Sequence, residues 1–427
     1  MEKTITPGRV AGTVLAPSSK SYAQRALAAS LLCEGESRLT NMELCNDTRA
    51  AMKIAEALGA RIAPVEGARW DYSVLGGVRE GTVCPVADRL NVGESGLATR
   101  LFTPIAALCG RRISLTGEGS ILVRPVGMME EPLRQLGAEV RTKKGLLPIT
   151  VRGPLRGGEA RVDGSLSSQF ITGLLMALPL AQNDTTLHVK GLRSRPYIDM
   201  TIAVAERFGI RIGHNDYEEF FVEGGQRYEP ATYNIEGDWS GASCLLVAGA
   251  TAGEVTVENM NTLSLQADVA VIDALSRAGA EVISTPESVT VHRRELTAFE
   301  FDATDCPDLF PALVALASAC DGVSEIRGTR RLIHKESNRA ETLAVEFARL
   351  GIRVDISEEN VMRVEGGPVS GAVVESHNDH RIAMALATAG LRADGKVTVL
   401  GAEAVDKSYP DFWDDLEVLM EKGATNG

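Results

Sequence analysis

The feature that most constrains this chain is a phrase that returns at nearly fixed intervals. It reads Leu58-Gly59-Ala60-Arg61-Ile62, Leu136-Gly137-Ala138-Glu139-Val140, Phe208-Gly209-Ile210-Arg211-Ile212, Ala278-Gly279-Ala280-Glu281-Val282 and Leu350-Gly351-Ile352-Arg353-Val354. Its glycines lie 78, 72, 70 and 72 residues apart, and Lys422-Gly423-Ala424 falls 72 further on. Chance explains the words but not the intervals. Each glycine follows an amphipathic stretch, such as 48–58 or 342–350, and precedes an apolar strand. That is where a glycine ends a helix in the left-handed conformation. The last glycine is expected to mark a sixth copy cut short by the terminus. A period of this length fixes the architecture before any local detail does.

A second helix recurs half a repeat away, with starts near Ser21, Ser95, Ser168, Gly241, Asp308 and His380. Bodies such as Phe170-Ile171-Thr172-Gly173-Leu174-Leu175 are apolar on nearly every face, so these helices belong inside a domain. A turn and a short strand follow each, as at 253–258 and 395–400. One repeat is then two strand–helix units plus an extra strand. At 427 residues the chain exceeds one ordinary core, so the six repeats divide three and three. The seam is expected near 233–237, giving a first domain of 18–234 and a second of 1–17 plus 235–427. The opening residues are expected to pair with the last repeat, which sets Lys20 beside a second crossing near Pro17.

Polar residues gather at the inner-helix starts. Ser18 and Ser19 are good N-caps, and Lys20, Ser21 and Arg25 follow around a helix mouth that favours anions. Lys20-Ser21 imitates the end of a Walker A loop, but Ser19 stands where that loop needs glycine. Equivalent positions hold Glu94-Ser95-Gly96, Ser167-Ser168-Gln169, Asp238-Trp239-Ser240, Asp305 to Asp308 and Asp379-His380-Arg381. Against a net charge of −13, which disfavours nucleic acid and anionic membrane as partners, these placed cations point to a cationic cleft for a small polyanion. Candidate acid/base groups there are Lys20, Asp308, Glu336 and His380. By itself, 335–339 reads as an exposed salt-bridged helix with Lys335 and Arg339 one turn apart. Seven cysteines without C-x-x-C spacing, no signal-peptide core and no run of membrane length lead to the expectation of a reduced, cytoplasmic protein without metal.

The motifs, taken together and in order, resemble a known family. Pro17-Ser18-Ser19-Lys20-Ser21 with Arg25, the stretch 93–100, Arg124-Pro125, the stretch 162–170, Ser194-Arg195-Pro196-Tyr197-Ile198-Asp199, Asp308, Lys335-Glu336-Ser337-Asn338-Arg339, Asp379-His380-Arg381 and Lys407-Ser408-Tyr409-Pro410 resemble the 5-enolpyruvylshikimate-3-phosphate synthases of the enolpyruvyl transferase family over essentially the whole chain. The resemblance implies an α/β fold of two domains, each of three pseudo-symmetric repeats with buried parallel helices and outer sheets. It implies transfer of the enolpyruvyl group of phosphoenolpyruvate to the 5-hydroxyl of shikimate 3-phosphate, with release of phosphate, in aromatic amino acid biosynthesis. It implies no cofactor, no metal and a monomer.

Carried over by position, the resemblance gives shikimate 3-phosphate to Lys20, Ser21, Arg25, Ser167, Ser168, Gln169, Ser194, Tyr197, Asp308 and Lys335, mainly in the first domain. It gives phosphoenolpyruvate to Lys20, Gly96, Arg124, Gln169, Arg339, Arg381 and Lys407. Asp308 would take the hydroxyl proton, and Glu336 and Lys20 would exchange a proton at the methylene carbon. Glu94 and His380 are further candidates. Glu94 departs from the asparagine common in the family, and Arg331 stands where some members have asparagine. Two rivals remain. One is the enolpyruvyl transferase of UDP-N-acetylglucosamine, disfavoured because 111–120 holds no cysteine. The other is a non-catalytic anion-binding module.

Overall fold

The five complete copies of the repeated glycine have positive φ, from 81° at Gly209 and Gly351 to 110° at Gly59. An L side chain there would cost about 1–2 kcal/mol, so glycine is the residue that lets each outer helix stop and the chain turn into its strand. The computed structural model describes residues 1–425. They form two compact units, one of residues 1–17 with those from Glu236 onward, the other Ser18–Ile235. The break follows Ile235, which is fully buried in the core of the 18–235 unit.

In the 18–235 unit, three four-stranded sheets share one plan: a parallel pair extended by two antiparallel strands. Gly158–Asp163 runs parallel to Thr185–Lys190, which continues antiparallel into Glu219–Val222 and Gly213–Asn215. Arg89–Asn91, Arg112–Thr116, Leu146–Arg152 and Glu139–Lys143 repeat the order. In the third sheet the parallel edge strand is Thr232–Asn234, from the far end of the unit, laid against Glu36–Thr40. The last residues of the unit thus complete its first sheet.

The other unit closes with the opening residues. Val10–Leu15 is the parallel edge strand beside Gly253–Glu258. Glu2–Ile5 pairs antiparallel with Val397–Leu400, which runs parallel to Val373–Glu375. The expected pairing with the last repeat is therefore half of the arrangement. Gly423 does not end a helix as the other five glycines do. It lies inside the helix Phe412–Thr425, and a Cβ there would sit 2.1 Å from the Arg9 carbonyl oxygen. Its glycine is a close-approach residue and not a helix terminator.

Three small-residue helices fill each core. Gly96–Ala106 and Trp239–Ala252 are buried at every position. Gly173 shows how close they come, since a Cβ on it would lie 2.2 Å from the Arg100 carbonyl oxygen of the neighbouring helix. Ser19, Ser95, Asp238 and Asp379 cap their helices through side-chain oxygens, as their residue types favour. The helix expected from Asp308 begins instead at Phe310, after the 3-10 turn Pro307–Leu309. All seven cysteines are free thiols, and Cys84 alone is exposed. Among the described residues no helix is long and apolar enough to cross a membrane.

Candidate active site

In the 18–235 unit, Lys20 opens the helix Lys20–Leu31 and its Nζ lies 3.0 Å from Asp47 Oδ2, both groups largely buried. One turn on, Arg25 is 1% exposed. Its Nε donates to Thr201 Oγ1 at 2.9 Å, one terminal nitrogen to Ser21 O at 2.8 Å, and the other to Tyr197 O and Thr172 Oγ1. Four of its five N–H groups are thus spent on the protein, and burial pushes its pKa down to about 10. Arg25 ties the helix to the Ser194–Tyr197 turn. Ser194 sits in that turn at φ 57°, a conformation that costs a non-glycine residue about 1–3 kcal/mol.

The second and third inner helices meet at Arg100. Its guanidinium donates to Gly96 O at 3.0 Å, Gln169 Oε1 at 3.1 Å and Pro125 O at 2.8 Å, joining three separate motifs. Arg124 is 7% exposed and lies directly over Gly96. A Cβ at Gly96 would stand 2.7 Å from both terminal nitrogens of Arg124, so the glycine is what admits the guanidinium. Ser167 Oγ accepts from Gln169 N at 3.2 Å, and Ser168 is buried beside it. Glu94 turns to the neighbouring loop, where its carboxylate accepts from Ser120 N and Oγ at 2.9 and 2.8 Å.

The other unit carries a knot of charge. Asp308 Oδ1 accepts from Lys335 Nζ at 3.0 Å and Arg339 at 2.7 Å, and its Oδ2 is 3.5 Å from Arg381. Burial alone would lift this carboxyl, but Lys335, Arg381 and Arg339 outweigh it and hold it well below the usual carboxylate range. Arg339, 1% exposed, also binds Glu336 at 2.7 Å and both oxygens of the buried Asp379. Arg381 is placed differently. Its side chain is 5% exposed, its Nε finds no acceptor, and among the described residues its ion pair is the long contact to Asp308. A buried guanidinium nitrogen left without an acceptor is costly. Lys407 ends the short helix Ala402–Lys407 and is nearly buried. His380 is buried, with Nδ1 3.7 Å from Asp379 Oδ1, beyond hydrogen-bond reach.

The structure thus brings Lys20, Ser21, Arg25, Ser194 and Tyr197 together in one unit, beside the Gly96–Arg124–Gln169 group joined by Arg100. Asp308, Lys335, Glu336, Arg339 and Arg381 form a network in the other. The reading of 335–339 as an exposed helix does not hold: Lys335 and Glu336 precede the helix Arg339–Arg349 and reach their partners from an irregular segment. Sequence reasoning missed Asp47, Arg100 and Asp379 as partners of site residues. Asp379 had a signal, as an acidic N-cap beside His380-Arg381. Asp47 had none, because Lys20 is remote in sequence, and neither did the contacts of Arg100 with Pro125 and Gln169. Among the described residues no group of three or more His, Cys, Asp or Glu side chains is arranged to hold a metal.

Comparison with known proteins gives a concordant picture. A family model described as EPSP synthase (3-phosphoshikimate 1-carboxyvinyltransferase) matches residues 5–416. A 3-phosphoshikimate 1-carboxyvinyltransferase from Halobacterium salinarum is 39% identical, with 99% of each chain covered. One from Clostridium kluyveri is 35% identical over 97% of this chain and 96% of its own. Among solved structures, an EPSP synthase from Acinetobacter baumannii matches with a TM-score of 0.81 at 25% identity, covering 99% of this chain and 98% of that one.

Proposed function

Because the chain belongs to the EPSP synthase family, we propose that it transfers the enolpyruvyl group of phosphoenolpyruvate to the 5-hydroxyl of shikimate 3-phosphate and releases phosphate. The observation that carries the assignment of anionic substrates is Arg381, a buried cation with an unanswered Nε. Lys20, Ser21, Arg25, Ser167, Ser168, Gln169, Ser194 and Tyr197 of one unit take shikimate 3-phosphate, and Gly96, Arg124 and Gln169 of that unit, with Lys20, serve phosphoenolpyruvate. Arg339, Arg381 and Lys407 of the other unit serve phosphoenolpyruvate, and Asp308 and Lys335 the hydroxyl-bearing substrate. Carboxylate and phosphate suit guanidinium forks.

Asp308 accepts the proton of the attacking hydroxyl, and Glu336 and Lys20 exchange the proton at the methylene carbon. A carboxylate gripped by Lys335 and Arg339 is ionised at neutral pH but weakly basic. Asp308, Glu336 and Asp379 thus occupy cations that substrate oxygens will claim. As phosphate and carboxylate draw Lys335, Arg339 and Arg381 away, Asp308 recovers the basicity that proton transfer needs. The chain works as a monomer on two small-molecule substrates.

Phosphorus-31 NMR of the purified protein with both substrates tests the reaction. Inorganic phosphate should appear at the rate at which shikimate 3-phosphate and phosphoenolpyruvate disappear, one for one. Phosphate release with UDP-N-acetylglucosamine as acceptor, or binding of both substrates without turnover, would overturn the reading.

A further inference from the structure

We propose that Glu346 and His377 form a clamp that aims Arg381, making them positioning residues for the anion that Arg381 binds; the identity of that anion rests on the function proposed above. Glu346 is completely buried, two helical turns beyond Arg339 on the helix Arg339–Arg349. Its Oε1 is 2.8 Å from His377 Nε2, its Oε2 accepts from Glu375 N at 2.9 Å, and Arg349 lies 3.5 Å from Oε2. A carboxylate withdrawn from water is tolerated only when its oxygens are answered. Burying Glu346 therefore fixes what answers it, the backbone at Glu375 and the imidazole of His377.

Between Glu375 and Asp379 the chain passes through two consecutive left-handed residues, His377 at φ 53° and Asn378 at φ 55°. Neither is glycine, and such a turn persists only where its surroundings over-determine it. Ser376 braces it from within: its Oγ donates to Gly401 O at 2.9 Å and accepts from Asn378 N at 3.2 Å, and its carbonyl accepts from Asp379 N at 3.0 Å. At the far end Asp379 is held by Arg339 Nε at 2.8 Å and in turn accepts from Arg381 N at 3.1 Å. One helix thus grips the turn twice, by Glu346 at Glu375 N and at the first strained residue, His377, and by Arg339 at Asp379 after them. The helix His380–Gly390 leaves in a direction set by both grips. With the Glu346 grip released, the strained turn relaxes and Arg381 shifts with it.

The test uses Glu346→Ala, Glu346→Gln and His377→Ala in the full chain. Without ligand, amide hydrogen exchange at 376–381 should accelerate at least about tenfold in both alanine variants while the helix Trp239–Ala252 keeps its protection. With substrates, KM for phosphoenolpyruvate should rise about 10- to 100-fold, as expected for an ångström-scale misplacement, while KM for shikimate 3-phosphate stays within about twofold. Glu346→Gln keeps an acceptor for Glu375 N and a partner for His377 Nε2, and should restore phosphoenolpyruvate KM. If Glu346→Ala fails to fold, His377→Ala, on a 40%-exposed side chain, carries the test. Unchanged exchange at 376–381 overturns the clamp whatever the activity. So does a fall in stability and kcat with both KM values unchanged, which would make Glu346 a core residue and nothing more. Wild-type protein that fails to turn over defeats the substrate reading alone, since the exchange measurement needs no substrate.

Discussion

Gly96→Ala separates a site requirement from a folding one. The added methyl would stand 2.7 Å from both terminal nitrogens of Arg124 and 2.8 Å from its Cζ. Favourable contact begins near 3.5 Å, so the guanidinium must retreat by about 1 Å. The backbone raises no objection. Gly96 is absent from the positive-φ residues and opens the helix Gly96–Ala106, where alanine is preferred by up to about 1 kcal/mol. Stability should hold or rise slightly while Arg124 is displaced. A displacement of about 1 Å costs on the order of 100-fold, or about 2.7 kcal/mol at 1.36 kcal/mol per decade. Steady-state kinetics should show it as a raised KM for phosphoenolpyruvate, with KM for shikimate 3-phosphate little changed. An unchanged KM for phosphoenolpyruvate in a stable variant would remove Arg124 from that substrate. A large loss of thermal stability would mean that Gly96 serves packing instead.

Three further outcomes are expected. Asp308→Asn should bind both substrates yet lose turnover by about 100- to 10,000-fold, read by calorimetry beside phosphate release; near-wild-type turnover would make Asp308 a structural carboxylate. Asp268, hydrogen-bonded by Ser240, is pushed up to about 6 from 3.8, by burial first and the Asp308 charge next. The folded state therefore holds a proton that the unfolded state has lost, so stability falls as pH rises from about 4 to 6 and the cost, about 3 kcal/mol, persists above 6. Asp268→Asn should abolish that fall and be the more stable protein at pH 8 by thermal unfolding; an identical pH dependence would contradict it. Chelation with EDTA should leave turnover unchanged, and activity lost with EDTA and restored by magnesium would refute a metal-free reaction.

Much of the fold was legible because a left-handed helix end demands glycine whatever its context. Gly59, Gly137, Gly209, Gly279 and Gly351 could be read that way before any coordinates. Gly423 used the same letter for another purpose, since only contact with Arg9 explains it. Closure of each unit was half legible. Pairing of the opening residues with the last repeat could be expected, but nothing local says that Thr232–Asn234 returns to Glu36–Thr40. At the site, the cations were visible as motif letters and their partners were not. Lys335 and Arg339 look like a helical pair four residues apart, yet they meet through Asp308, 27 and 31 residues away. Arg100 reads as one more residue of a buried helix, and only three-dimensional contact makes it the brace of Gln169.

If Asp308 surrenders its cations to the substrates, its carboxyl must titrate differently once they bind. Carbon-13 NMR of aspartate-labelled protein, with the Asp308 carboxyl assigned by difference from Asp308→Asn, follows its titration directly. In the free protein, Lys335, Arg381 and Arg339 should keep it ionised to well below the ordinary carboxylate range, against the opposing push of burial. With shikimate 3-phosphate bound and inorganic phosphate standing in for phosphoenolpyruvate, the midpoint should rise toward or above that range. A midpoint that does not move, with both ligands shown by calorimetry to be bound, would mean that Lys335 and Arg339 stay on Asp308 and that another group takes the hydroxyl proton.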